Sequence, residues 1–190
     1  MDTIWIVLAV IAVIVVLGAA WWGLQRRRRT ERLAERYGPE YQRTLAEAGD
    51  RRAAEHELEE REKRVQELDI KPLAPEDRDR FAAEWRRVQA QFVDDPSGAI
   101  AEGDRLVEQV MEARGYPTAD SDFGERAAIV SVDHGAVVEE YRAAHDIAER
   151  HASTEGGVET EDLRQAMVHY RAIFEDLLET AEPEPVEARR

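Results

Sequence analysis

The first two dozen residues carry one unbroken apolar pattern. Ile4 to Leu24 reads IWIVLAVIAVIVVLGAAWWGL, with no charge, and eleven of residues 4–17 are Ile, Val or Leu. At about 1.5 Å per residue such a helix is roughly 30 Å long, the hydrocarbon thickness of a bilayer. At roughly −0.3 to −0.6 kcal/mol per large aliphatic residue, insertion is favoured by several kcal/mol. The pattern predicts a transmembrane anchor over residues 1–25. A cleaved signal peptide fits less well, because it wants a basic start, a shorter apolar run and a small-residue cleavage site. Here Leu17-Gly18-Ala19-Ala20 is followed at once by Trp21 and Trp22. With Trp5 at the other end, these tryptophans suit the two membrane interfaces.

After Gln25 the pattern turns charged. Arg26, Arg27, Arg28 and Arg29 flank the apolar run on its carboxyl side, and Arg32 and Arg36 follow. The positive-inside rule then places the amino terminus outside and the rest of the chain in the cytoplasm. The apolar helix is expected to continue through RRRRTERLAERY and stop at Gly38-Pro39. Tyr41 to Leu68 reads as a second, highly charged helix, loosened near Gly49-Asp50. Its apolar stripe is narrow: Ala54, Leu58, Val65 and Leu68, with Arg61 in the intervening position. This predicts a solvated juxtamembrane stalk over 26–69; a short coiled coil is the rival reading.

Two prolines in Ile70 to Pro75 break the pattern, and a different one follows. Phe81, Trp85, Val88 and Phe92 recur at helical spacing. Asp95-Pro96 caps a helix that buries Ile100, Leu106, Val107, Val110 and Met111 and ends at Arg114-Gly115. Asp120 to Asp122 opens a shorter helix with Phe123, Ala127 and Val130 inward. Asp133 reads as the cap of the next, which carries Val137, Val138, Tyr141 and Ile147. Leu163, Met167, Tyr170, Phe174 and Leu177 give the last helix the cleanest period in the chain. No stretch alternates with period two. The expected fold is all-α: an N-terminal transmembrane helix, a charged juxtamembrane helix, then a bundle of four or five helices over 70–180. Residues 181–190, EPEPVEARR after Ala181, read as a disordered tail.

Charge is uneven along the chain. Residues 26–64 hold 12 basic and 10 acidic side chains, whereas residues 65–190 hold 14 and 30. An acidic distal domain is repelled by phosphate backbones, which disfavours nucleic acid as a partner. The absence of cysteine excludes a disulfide framework, a thiolate zinc site and a cysteine nucleophile.

Candidate chemistry is sparse. Glu does not lie three residues before any of the five histidines, His56, His134, His145, His151 and His169, so the di-metal bundle motif is missing. His145 and Glu149 share a helix face but make only two ligands; His134 and His145, eleven apart, suit one face of one helix. No Gly-rich phosphate loop and no G-x-S-x-G occur. Asp133, His134, His145 and Tyr170 are the only set that suggests a pocket, with His145 or Asp146 as partner for the inward Tyr170 hydroxyl. No cofactor and no enzyme activity are expected.

Several stretches resemble one family together: Tyr37-Gly38-Pro39-Glu40-Tyr41, residues 61–73, 88–96 and 114–117, SVDHGAVVEEYRAAHDIA (131–148) and LRQAMVHYRAIFEDLL (163–178). The set is similar to bacterial single-pass, membrane-anchored helical proteins, found mostly in high-GC Gram-positive lineages, that carry no assigned activity. The resemblance spans nearly the whole chain and implies an anchor plus a helical domain, with no functional residues to transfer. The reading is therefore a membrane-anchored, cytoplasmic interaction or scaffold protein. Its partners would be the bilayer, contacted by Trp5, Trp21, Trp22 and Arg26 to Arg29, and another protein. Two rivals are an enzymatic or ligand-binding bundle and a homo-oligomer formed through the 50–68 stripe.

Overall fold

The structure, a computed structural model, describes residues 2–118, 121–154 and 156–179; for 2–15 and 19 it describes the backbone only. Every element among the described residues is a helix. They run α1 (Asp2–Tyr37), α2 (Pro39–Ala48), α3 (Arg51–Gln66), α4 (Pro75–Gln91), α5 (Pro96–Arg114), α6 (Phe123–His134), α7 (Val138–Ser153) and α8 (Thr160–Glu179). Among the described residues no helix is long and apolar enough to cross a membrane. Most side chains of the 4–24 run, Trp5 included, lie outside those residues, as does the 181–190 tail.

The five helices α4 to α8 form the bundle. Phe81, Trp85 and Val88 of α4, and Ile100, Leu106, Val107, Val110 and Met111 of α5, are buried at their expected spacing. α8 packs against both α5 and α7 and buries Leu163, Met167, Tyr170, Phe174 and Leu177. Trp85 and Phe174 stack with ring centroids 4.6 Å apart, which joins α4 to α8. The link after α3 seats Leu73 in the same core. Asp95 caps α5 by accepting from Gly98 N at 2.9 Å, and Asp122 caps α6 by accepting from Glu125 N at 2.8 Å. Asp133 caps nothing: it lies in the last turn of α6, and α7 begins after Val137. The break at 135–137 also puts His134 and His145 on different helices.

The segment read as a stalk is folded onto the bundle instead. α1 continues past the arginines to Tyr37, where Gly38 (φ 53°) turns the chain back into α2; Gly49 (φ 66°) turns it again into α3. The pairing register shows that α3 runs parallel to α1. Arg29 meets Glu59, Arg32 meets Glu62 and Arg36 meets Glu62. A second small core forms there from Leu33, Tyr37, Tyr41 and Leu58, closed by Val132 of α6. The physical reason is that stripe: Ala54 and Leu58 need cover, and α1, α2 and α6 supply it within the chain. The same stripe is therefore occupied rather than displayed to a second copy.

Candidate functional site

The most strongly built polar feature is the seam between α1–α3 and the bundle. Glu40, 1% exposed, stands at the start of α2. Arg61 of α3 donates to its Oε1 at 2.8 Å, and Arg142 of α7 donates to the same oxygen at 2.9 Å and to Oε2 at 3.3 Å. Both guanidiniums are buried. Burial alone opposes ionisation of Glu40, but Arg142, with Arg61, outweighs it and holds the carboxyl below the ordinary range. Glu139 lies beside them with its Oε1 3.9 Å from Arg142 Nε. Burial, then the Glu40 carboxylate, push Glu139 the other way, up. Arg61 in the apolar stripe is thereby explained: it is an inward residue with a charged partner.

The pair Asp133–His134 serves a second seam. Tyr116 Oη donates to Asp133 Oδ2 at 3.0 Å, and Arg36 of α1 reaches Oδ1 at 3.4 Å and donates from Nε to Val132 O at 3.0 Å. His134 has a fully buried side chain. Its Nδ1 donates to Asp176 of α8, and its Nε2 faces Arg114 Nη1 at 3.4 Å. Arg114 in turn donates to Leu177 O at 2.9 Å. Both ring nitrogens are engaged by protein groups, so this arrangement orients helices and offers no face to a substrate.

His145 and Tyr170 lie elsewhere. His145 stacks on Phe123 with centroids 3.6 Å apart, and Phe123 meets Tyr141, which meets Tyr170 edge-on. The carboxylate beside the Tyr170 hydroxyl is Asp104 of α5, in place of His145 or Asp146. No hydrogen bond within 3.5 Å joins the Tyr170 hydroxyl to another described group. Burial, then Asp104, push its phenol well above the usual range. Thus Asp133, His134, His145 and Tyr170 divide into two separate networks. Among the described residues no group of three or more His, Asp or Glu side chains is placed to hold a metal ion.

Two surface grooves stand out among the described residues. One of about 780 Å³ lies over Trp85 and Phe174, between Arg78 and Arg86 of α4 and Arg171 of α8. The other, about 560 Å³, lies between α1 and α3 at the end of the apolar run. It brings Trp22 and Arg26 to Arg52 and His56, a juxtaposition hidden in the sequence because it needs two chain reversals. Trp21 and Trp22 are 65% and 58% exposed. Arg26 lies 5.8 Å from the centre of the Trp22 ring, and Arg27 pairs with Glu31 at 2.8 Å. Arg29 pairs with Glu59 of α3 at 2.6 Å, and Arg28 is exposed. Comparison with protein-family models, with curated proteins and with solved structures gives no match.

Proposed function

We propose that the chain is a membrane-anchored scaffold: residues 4–24 sit in the bilayer, and the acidic bundle is held on the cytoplasmic side to bind a protein of basic character. One observation carries this reading. α1 is a single helix from the apolar run to Tyr37, and its last turns bury Leu33 and Tyr37 in the folded domain. The anchor and the domain thus share one rigid element rather than a flexible linker. Exposed Val16, Leu17, Trp21, Trp22 and Leu24 on the same helix present apolar surface that lipid would cover. Holding a binding domain at a fixed attitude raises its effective concentration for partners in that membrane. The excess of acid over base beyond residue 64 supports attraction to a basic surface. The motifs at 37–41 and 131–148 support kinship with single-pass membrane-anchored helical proteins.

The test is photo-crosslinking in intact membranes, with the probe at exposed bundle positions such as Val93 and Val168. A discrete adduct with another protein, lost at high salt, is expected. Adducts at no exposed bundle position would contradict the scaffold reading, and release of the chain by alkaline carbonate would contradict the anchor.

A further inference from the structure

Three arginines of α1 are paired across to α3, and two arginines that face each other from α1 and α3 are not. Arg29, Arg32 and Arg36 are neutralised by Glu59 and Glu62 of α3, and these pairs clamp the two helices together. Arg26 and Arg52 make no ion pair among the described residues. Yet these two line the same groove, one from each helix. The parallel course of α3 causes this: its first turn is carried back along α1 to the level of Trp22. Asp50 already caps that turn, accepting from Arg52 N at 3.0 Å and Ala53 N at 3.1 Å, so the groove's cationic character comes from side chains. The carboxylate in its wall, Glu55, is also engaged. Its Oε1 accepts from Thr30 Oγ1 at 2.6 Å, and its Oε2 faces Arg29 Nε at 3.8 Å.

We propose that this groove holds the phosphate of an anionic phospholipid headgroup between the guanidiniums of Arg26 and Arg52. His56 adds a ring N–H, and Trp22 lies against the lipid's glycerol and upper chain. The inference rests on the anchor reading, which sets the end of the apolar run, and so the groove, at headgroup depth. A row of arginines on one helix attracts an anionic surface without choosing a lipid. Two guanidiniums on separate, clamped helices instead fix the phosphate from two sides through charge-assisted hydrogen bonds.

The full-length chain, in non-ionic detergent, is offered equal amounts of phosphatidylglycerol and phosphatidylcholine with matched acyl chains. Retained lipid is counted by native mass spectrometry. The wild type is expected to retain one phosphatidylglycerol in preference. Arg26→Gln and Arg52→Gln each weaken that preference about fivefold, the equivalent of ~1 kcal/mol per arginine at an anionic surface. Arg51→Gln, beside Arg52 but outside the groove, leaves it unchanged. Equal loss in all three variants overturns the proposal in favour of an unselective collar. Displacement of the lipid by excess inorganic phosphate overturns it in favour of a soluble anion, and no preference in the wild type overturns it outright. Alkaline extraction is read in parallel: a wild-type chain that leaves the membrane defeats the anchor reading, whereas a retained chain without lipid preference defeats the groove alone.

Discussion

Arg142 Nη2 lies 2.9 Å from Glu40 Oε1, although the two residues are 102 positions apart in the chain. With Arg61 at 2.8 Å from the same oxygen, one buried carboxylate joins α2, α3 and α7. Removing the shared carboxylate leaves two buried guanidiniums without it, and an uncompensated buried charge costs about 3–5 kcal/mol. Glu40→Met is therefore expected to lower unfolding stability by an amount of that order in urea. Adding Arg61→Met and Arg142→Met restores much of the loss, because neither guanidinium is then left buried without Glu40. A triple variant less stable than the single one would show that the cluster's attraction exceeds its desolvation.

The two carboxylates of this seam predict opposite responses to pH. Glu40 is held below the ordinary range, so its contribution is present above about pH 4.3 and is lost as pH falls through its depressed value. Glu139 is raised, so the fold favours its protonated form and is opposed by its ionisation at neutral pH. Glu139→Gln is expected to raise the melting temperature at pH 7, with the gain vanishing below about pH 4. Calorimetry across that range checks it; a loss of stability at pH 7 would mean that the attraction of Glu139 to Arg142, and to Arg43 at 4.0 Å, exceeds its repulsion by Glu40.

Gly135, just past the end of α6, lies close against the end of α1. A Cβ there would lie 2.9 Å from both Arg36 O and Tyr37 Cα, and 3.0 Å from Ser131 O. These are backbone atoms and cannot swing aside. Gly135→Ala should cost about 1–3 kcal/mol through overpacking, whereas Gly18→Ala, with open space around it, costs nothing measurable. Thermal melts of the two variants side by side give the comparison.

If α1 to α3 belong to the folded body, the bundle alone is an incomplete domain. Residues 70–179 without the preceding segment leave Arg142 without Glu40 and uncover Val132. That fragment should remain helical by circular dichroism but melt at lower temperature, with a broader transition, than a fragment of residues 28–179. Equal melting curves would restore the picture of an independent bundle on a stalk.

Helix ends and faces were legible in the sequence because caps, glycines and spacing act locally. Gly38, Gly115 and Pro96 mark their boundaries as expected, and the 163–177 period lies wholly inward. What the pattern hid was charge that is buried. In a chain with 35% charged residues, Glu40, Arg61 and Arg142 look like their solvated neighbours, and their partners lie on other helices. Arg61 interrupting the stripe of Ala54, Leu58 and Val65 was the one visible sign. Tyr37 and Leu33 were equally masked, since a run of arginines precedes them and nothing local shows that α6 covers them. The four candidate pocket residues divide for a related reason: the break at 135–137 puts Asp133 and His134 on a different helix from His145, so spacing in the chain does not bring them together.

We propose that residues 4–24 cross the bilayer and that the bundle lies on the arginine side. The chain has no cysteine, so single reporters can be introduced without background. Asp2→Cys and Val168→Cys, each in the full chain, are treated in intact cells with a membrane-impermeant maleimide. Labelling of residue 2 in intact cells, and of residue 168 only after lysis, is the predicted result. Labelling of residue 168 in intact cells would place the bundle outside and contradict the account.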